Sequence, residues 1–317
     1  MTDRPHISVL LNEVLDVLMP ASGEVIVDGT FGAGGYSRAI LEASDCKVYG
    51  IDRDPRAIAM GRVMEKEFPG RLQVLEGCYA DMQALLAKVG VSAVDGIALD
   101  IGVSSMQIDE AERGFSFMRD GPLDMRMSAD GPTAADVVNS ESEAELARII
   151  FHYGEERRSR AIAKVLVARR QEKPFSSTLE LADAVATVVR PTGKGINPAT
   201  RTFQALRIYV NDELGQLDQG LAAAEKLLAP GGRLAVVSFH SLEDRRVKKF
   251  LTERSSARAN PSRHLPPGED GPAPSFKLVK RGAIKAREDE ASQNPRSRSA
   301  RLRGAVRTEA PVWGDVA

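Results

Sequence analysis

Short apolar runs alternate with longer amphipathic stretches through the first hundred residues. Apolar runs predict strands at 25–28, 46–51, 71–75 and 95–99. Between them, apolar positions at helical spacing predict helices around 36–43, 55–67 and 80–88, with an amphipathic helix before them over Leu10–Leu18. This is the pattern of a parallel sheet wound with helices. The rhythm breaks between Met106 and about Tyr209, where no strand pattern occurs. Ser140 with Glu143, and Ser177 with Glu180, read as capping boxes that open helices near 141–152 and 178–189. Two more helices are expected, at about 156–171 and after Pro198. The α/β rhythm then resumes. Leu214, Leu217, Leu221 and Leu228 share a helix face that Pro230-Gly231-Gly232 ends, and Arg233–Ser238 follows as a buried strand. Residues 255–275 read as a loop, and strands near 276–281 and 299–307 as an edge hairpin. The expectation is one discontinuous α/β domain, 1–105 and 210–317, interrupted by an all-helical domain over 106–209.

The ends of the expected strands carry the chemistry. After Val25-Ile26-Val27 comes Asp28-Gly29-Thr30-Phe31-Gly32-Ala33-Gly34-Gly35. Glycines after a strand and before a helix supply positive φ or close backbone approach to a ligand. The second strand ends in Asp52, 24 residues on from Asp28, where an acidic side chain can hold a ribose diol. A nucleoside cofactor is therefore expected. A dinucleotide fingerprint starting at Gly32 needs glycine at position 37, which is Ser37. The turn suits S-adenosylmethionine better, because that cofactor has an amino-acid tail to hold and no pyrophosphate to cradle.

Further candidates cluster at the same strand ends. Tyr79 is placed to stack on or flank an adenine. Asp100 ends the fourth strand and opens a loop with Gly102, Ser104, Ser105 and Gln107. His240 stands in a polar cluster with Ser241, Glu243 and Asp244, and reads as structural as readily as catalytic. Glu112–Gly121 interleaves aromatics with arginines, a pattern suited to stacking on unpaired bases and holding phosphate; Arg113, Phe115 and Phe117 are its candidates.

Composition narrows the setting. No run approaches eighteen apolar residues, so no membrane span is expected, and no signal-peptide pattern is seen, so the cytoplasm is. Cys46 and Cys78 lack metal-ligand spacing, the four histidines are scattered, and no metal is expected. The net charge of −1 conceals an asymmetry: residues 276–307 hold ten Lys or Arg and three acids. A basic stretch of this kind fits either a polyanion partner or a solvated hairpin.

Several motifs occur together and in order: Asp28 through Gly35, Ile51 through Pro55, Asp100 through Ser105, Glu112 through Met127, Thr200 through Ala205, and Ser238 through Arg245. With them the chain resembles, from His6 to about Arg307, the bacterial small-subunit rRNA (cytosine-N4)-methyltransferases, MraW or RsmH. The resemblance implies an α/β, Rossmann-like S-adenosylmethionine-dependent methyltransferase fold with an inserted all-helical domain that recognises substrate. It implies methyl transfer to the N4 of a cytosine in the decoding centre of 16S rRNA, within the small ribosomal subunit, with neither DNA nor a membrane as partner. Matched residue by residue, the cofactor contacts would be Gly34, Gly35, Tyr36, Asp52, Tyr79, Asp100 and Gln107. The family commonly has His where this chain has Tyr36, so a side-chain contact there would have to come from the phenol.

The residues bear on mechanism independently. Methylation at pyrimidine carbon 5 needs a cysteine nucleophile, and neither cysteine follows a proline. Amine methylation needs no covalent intermediate. It needs in-line alignment and an acceptor for the amine protons. Asp100 is the candidate catalytic acceptor, or it contacts the cofactor alone. Arg298, Arg301 and Arg303 are candidate RNA contacts in the basic stretch. A methyltransferase of small molecules or proteins would leave that stretch and the Arg/Phe loop unexplained. A non-catalytic RNA-binding assembly factor would bind RNA without methyl transfer.

Overall fold

A computed structural model describes residues 8–103, 105–128, 130–190, 197–256 and 272–313. Ser104 and most of the expected 255–275 loop lie outside the described residues. The chain forms two compact units, one of residues 1–102 and 215–317 and one of 103–214.

The first unit opens with helix α1 (Leu11–Leu18), followed by β1 (Val25–Asp28), α2 (Gly35–Ala43), β2 (Lys47–Asp52), α3 (Pro55–Met64), β3 (Leu72–Glu76), α4 (Met82–Ala87) and β4 (Val94–Ile101). The second unit holds α5 (Ser105–Asp109), α6 (Ala134–Ser140), α7 (Glu143–Gly154), α8 (Ser159–Glu172), α9 (Thr178–Ala186) and α10 (Thr200–Val210). Helix α11 (Glu213–Leu227) leads back into the first unit. That unit ends with β5 (Leu228–Ser238), α12 (Ser241–Ser255), β6 (Phe276–Leu278), α13 (Glu288–Gln293) and β7 (Arg301–Arg307).

The seven strands lie in the order β3-β2-β1-β4-β5-β7-β6. The first five are parallel, while β7 runs antiparallel between β5 and β6. Strand order reverses direction at β1, so β2 and β4 flank it, and the ligand crevice of such a sheet lies outside the carboxyl ends of the strands there.

Both faces of the sheet are covered, which explains the unbroken apolar runs. Alternate side chains divide between two cores. Ile26, Ala98, Ala235 and Val237 pack with Val14, Val17, Leu18, Ile40 and Leu41 of α1 and α2 on one face. Val27, Ile97, Leu99, Leu234 and Val236 pack with Met82, Leu86, Leu217, Leu221 and Val247 of α4, α11 and α12 on the other.

The second unit is all helical and has its own core, built on Leu146, Ile149, Ile150, Ile162, Leu166, Leu181 and Leu206. Ser177 and Glu180 form the expected capping box of α9. Ser140 does not cap a helix. It is the last residue of α6, and its hydroxyl donates back to the Asp136 carbonyl at 2.6 Å. Ser142 caps α7 instead, accepting from the Glu145 N–H. Another box, Thr133 with Asp136, opens the short α6, which periodicity did not reveal. Leu228 belongs to β5, not to the preceding helix. It pairs with Val94, the pairing then breaks, and it resumes at Arg233 with Gly96, so Pro230-Gly231-Gly232 forms an irregularity within the strand.

Candidate active site

The glycine turn is held across the ends of three strands. Gly29 N–H donates to the Ala98 carbonyl on β4, and Phe31 N–H donates to the Ile51 carbonyl on β2, both at 2.9 Å. Gly32 N–H donates to Asp52 Oδ2 at 2.7 Å, and Asp54 N–H to Asp52 Oδ1 at 2.8 Å. Asp52 therefore fixes the turn as well as ending β2. Burial raises its carboxyl above the ordinary value, and the two backbone donors partly offset that. Gly34 caps α2 with φ of 78°, in the left-handed region. A Cβ there would lie 2.8 Å from both the Met64 sulfur and the Phe31 ring, so conformation and space both require glycine.

Two aspartates stand on the neighbouring central strands. Asp28 pairs with Ala98 in register, so Asp100 lies one pleat further along β4 on the same side. Asp28 is fully buried and accepts from the Ser37 hydroxyl at 2.7 Å and from the Ser37 N–H at 3.1 Å. The Asp100 N–H donates to Thr30 Oγ1 at 2.7 Å, which aligns the end of β4 with the turn. Part of the Asp100 residue reaches solvent, but its Oδ1 is buried and has no hydrogen-bond partner among the described residues. The surroundings of that carboxyl set its acidity. Burial, then Asp28, then Glu243 push it up to about 8. Burial also raises Asp28, to about 6, against the hydrogen bonds from Ser37 and Thr30. Asp100 thus offers a buried, unsatisfied carboxyl where a positive ligand group would be welcome.

At the end of β3 the chain turns through Cys78 and Tyr79 against α11. The Cys78 thiol donates to Gln216 Oε1. One helical turn later stands Gly220, and a Cβ there would lie 2.4 Å from Tyr79 Cδ2 and 2.6 Å from Cε2. The ring of Tyr79 rests on the helix because that position is bare. Burial raises the thiols of both Cys78 and Cys46, so neither is poised as a thiolate nucleophile. Tyr36 is buried, and its phenol donates to the Val9 carbonyl. Any ligand contact at position 36 therefore runs through its backbone.

Other expected residues have identifiable structural work. His240 is the N-cap of α12, in a capping box with Glu243. Asp244 accepts from Arg301 at 2.9 Å and from Arg303 at 2.8 Å. Burial opposes ionisation of Asp244, but those two arginines outweigh it and hold the carboxyl low. Arg298 is exposed and donates to the Ala291 carbonyl. In the second unit, Gln107 is buried on α5. Arg113 donates to the Arg126 and Met127 carbonyls, Phe115 is part of the core, and Phe117 meets Phe203 edge-on at 4.9 Å. Thr30, Ser37, Gln216 and Gly220 were not singled out from sequence. Of these only Gly220 left a signal, as a glycine inside a leucine-patterned helix.

The strand order, the antiparallel β7 and the carboxylate-ended strands around a glycine turn define a Rossmann-like methyltransferase fold. The chain belongs to the MraW methylase family, whose model matches residues 3–308. It is 61% identical to ribosomal RNA small subunit methyltransferase H of Paramagnetospirillum magneticum over 317 residues, all of both chains. It is 60% identical to the protein of that name from Parvibaculum lavamentivorans, covering 97% of this chain and 91% of the other. The Rhodospirillum rubrum protein of the same name is 57% identical, with 98% and 96% covered.

Two outcomes test this geometry. Gly220→Ala should weaken S-adenosylmethionine binding roughly tenfold, since touching residues couple by about 0.5–3 kcal/mol. Helix stability should not suffer, because Ala is the better helix former. In a Tyr79→Leu background the same change should have little effect on affinity, and calorimetry on the four proteins would read the difference. Equal losses in both backgrounds would mean that Gly220 does not act through Tyr79.

The second outcome concerns pH. The Asp100 carboxyl rises from about 3.9 unfolded to about 8 folded, so the folded state binds the extra proton between those values. Stability from this group is present below about pH 4 and is lost as pH rises to about 8, by at most about 1.4 kcal/mol per pH unit. Asp100→Asn keeps the neutral shape, so its stability advantage over wild type should grow across that window in denaturant titrations. A constant difference from pH 4 to 8 would place the Asp100 carboxyl near its ordinary value.

Proposed function

We propose that this chain transfers a methyl group from S-adenosylmethionine to the exocyclic N4 of a cytosine in 16S rRNA, at the decoding centre of the small ribosomal subunit. The observation that carries the reading is Asp100: a carboxyl with a buried, unpartnered oxygen at the end of β4, beside the glycine turn. Family membership and the shared name of relatives 57–61% identical support it. As a modifier of ribosomal RNA the enzyme works in the cytoplasm. Among the described residues no helix is long and apolar enough to cross a membrane.

The residues fit the cofactor. The backbone of Gly34, Gly35 and Tyr36 at the start of α2 takes the amino-acid tail. The two oxygens of Asp52 each accept one backbone N–H and keep a lone pair for a ribose hydroxyl. Tyr79, backed by Gly220, flanks the adenine. Asp100 faces the positive charge. For RNA, Arg298 and Arg301 keep exposed guanidinium surface for phosphate, whereas Arg303 is largely buried on Asp244. Arg113, Phe115 and Phe117 act on RNA through the shape of their loop.

When bound, S-adenosylmethionine supplies a methyl carbon on a sulfonium, open to in-line displacement. The cytosine N4 lone pair is delocalised into the ring, so alignment and charge stabilisation must come from the protein. Methyl transfer leaves N4 with one proton to shed, and the ionised Asp100 carboxylate is the group that would take it. Asp100, once ionised, accepts a hydrogen bond from the amine and balances the positive charge that grows on it. Neither cysteine has a part in this route.

The test is methyl transfer from labelled cofactor to small subunits lacking the modification, with the product nucleoside identified. N4-methylcytidine is expected. Label on a protein or small molecule, or RNA binding without transfer, would replace this reading with one of its rivals. At saturating cofactor, Asp100→Asn should slow single-turnover transfer about 10²–10⁴-fold. A normal rate there would leave Asp100 a cofactor-binding residue only.

A further inference from the structure

The second unit is acidic overall, yet one of its helices carries a dense run of cations. Residues 103–214 hold 15 Lys or Arg against 17 Asp or Glu. Seven of those cations and a single acid, Glu172, fall within residues 157–173, which span α8 and its lead-in. The rest of the unit therefore has 8 cations against 16 acids.

Helical spacing sorts this run into faces. Ser159, Ile162, Ala163 and Leu166 are buried and face the core. On the opposite side, Arg160, Ala161, Lys164, Ala168 and Gln171 form an exposed stripe without an acid, extended by exposed Arg157 in the turn just before the helix. The side chains of Arg157, Arg160 and Lys164 have no ion pair or hydrogen bond among the described residues. Their neighbours differ. Lys173 pairs with Glu180, Arg158 donates to the Val188 carbonyl, and Arg170 caps carbonyls of residues 138 and 141. Those cations have structural work, while the three on the stripe have none in the free protein.

Helix stability does not explain the stripe. Cations stabilise the C-terminal end of a helix and oppose its N-terminal end. Here Arg157, Arg158 and Arg160 crowd the start of α8, and no acid stands in its first turn. Core packing does not explain it either, because all three side chains point away from the core. Small alanines between the long cations leave room for a backbone to approach. Such a stripe fits an extended polyanion held by its phosphates, with no base selectivity of its own.

We propose that the outward face of α8, through Arg157, Arg160 and Lys164, docks the phosphodiester backbone of the substrate RNA. This rests on the rRNA reading above and assigns that substrate a second contact surface, apart from the basic stretch of residues 276–307.

The test replaces the three with glutamine (Arg157→Gln, Arg160→Gln, Lys164→Gln) in the full chain. Glutamine keeps helix propensity close to that of Arg and Lys, so the fold should persist, and an unchanged melting curve would verify it. Binding is measured against salt with two probes, small subunits lacking the modification and transcribed 16S rRNA. The slope of log affinity against log salt should fall by about 2–3 for both probes, at about 0.7–0.9 per phosphate contact. KM for subunits should rise while kcat at saturation and S-adenosylmethionine affinity hold. The charge-retaining variant Arg160→Lys should bind nearly as wild type. An unchanged slope overturns the proposal, and a solvated helix face is then the correct description. Loss of subunit binding with naked-RNA binding intact also overturns it and points to an acidic protein surface as partner. If wild-type protein methylates no RNA, the functional reading falls first and this surface with it. If wild-type protein methylates normally and only the slope fails to move, the surface alone is wrong.

Discussion

The parallel sheet brings two carboxyl groups to adjacent strand ends, and much of the first unit is arranged around that placement. Asp28 is satisfied by Ser37, and its burial makes the start of α2 polar at one point and apolar elsewhere. Asp100 has a buried oxygen left without a donor. Leaving a polar group buried and unpaired costs stability, on the order of 1–3 kcal/mol. Such a cost is tolerated where function requires it. A site that must receive a cationic group is best lined by an acid with no internal partner, because an internal cation would compete with the ligand. Thr30 and Asp52 then fix the turn opposite this acid by bonds to β4 and from Gly32.

Much of this was legible in the residues themselves. Val25-Ile26-Val27, Ile97-Ala98-Leu99 and Leu234–Val237 are apolar without alternation, as strands covered on both faces must be. Asp28, Asp52 and Asp100 stand out because each ends such a run. The glycine turn could be read because positive φ at Gly34 leaves a mark on composition. What stayed hidden was tertiary. Gly220 meets Tyr79 from a helix more than a hundred residues away, and no local pattern records that contact. Ser140 carries the sequence of a cap, yet Thr133 and Ser142 fix the helices on either side and leave it inside α6. Leu228 continued the leucine spacing of α11, but pairing with Val94 drew it into the sheet.

The arginines show the same limit from the other direction. Charge alone nominated Arg301 and Arg303, which β7 carries to Asp244 at the start of α12. That pairing fastens the antiparallel strand to a helix and uses part of the charge internally. Charge alone did not nominate Arg157, Arg160 and Lys164, because the surrounding acids of the second unit conceal them in any average. Only the side-chain contacts around α8 separate cations with structural partners from cations without them.

The central claim is that Asp100 is protonated in the free protein and gives up its proton when a cationic ligand arrives. Calorimetry of S-adenosylmethionine binding at pH 7, in buffers of different ionisation enthalpy, counts the protons exchanged. With the carboxyl near 8, binding should release most of one proton per cofactor, and Asp100→Asn should abolish the release. No proton release by wild-type protein, or the same release by the variant, would contradict the account.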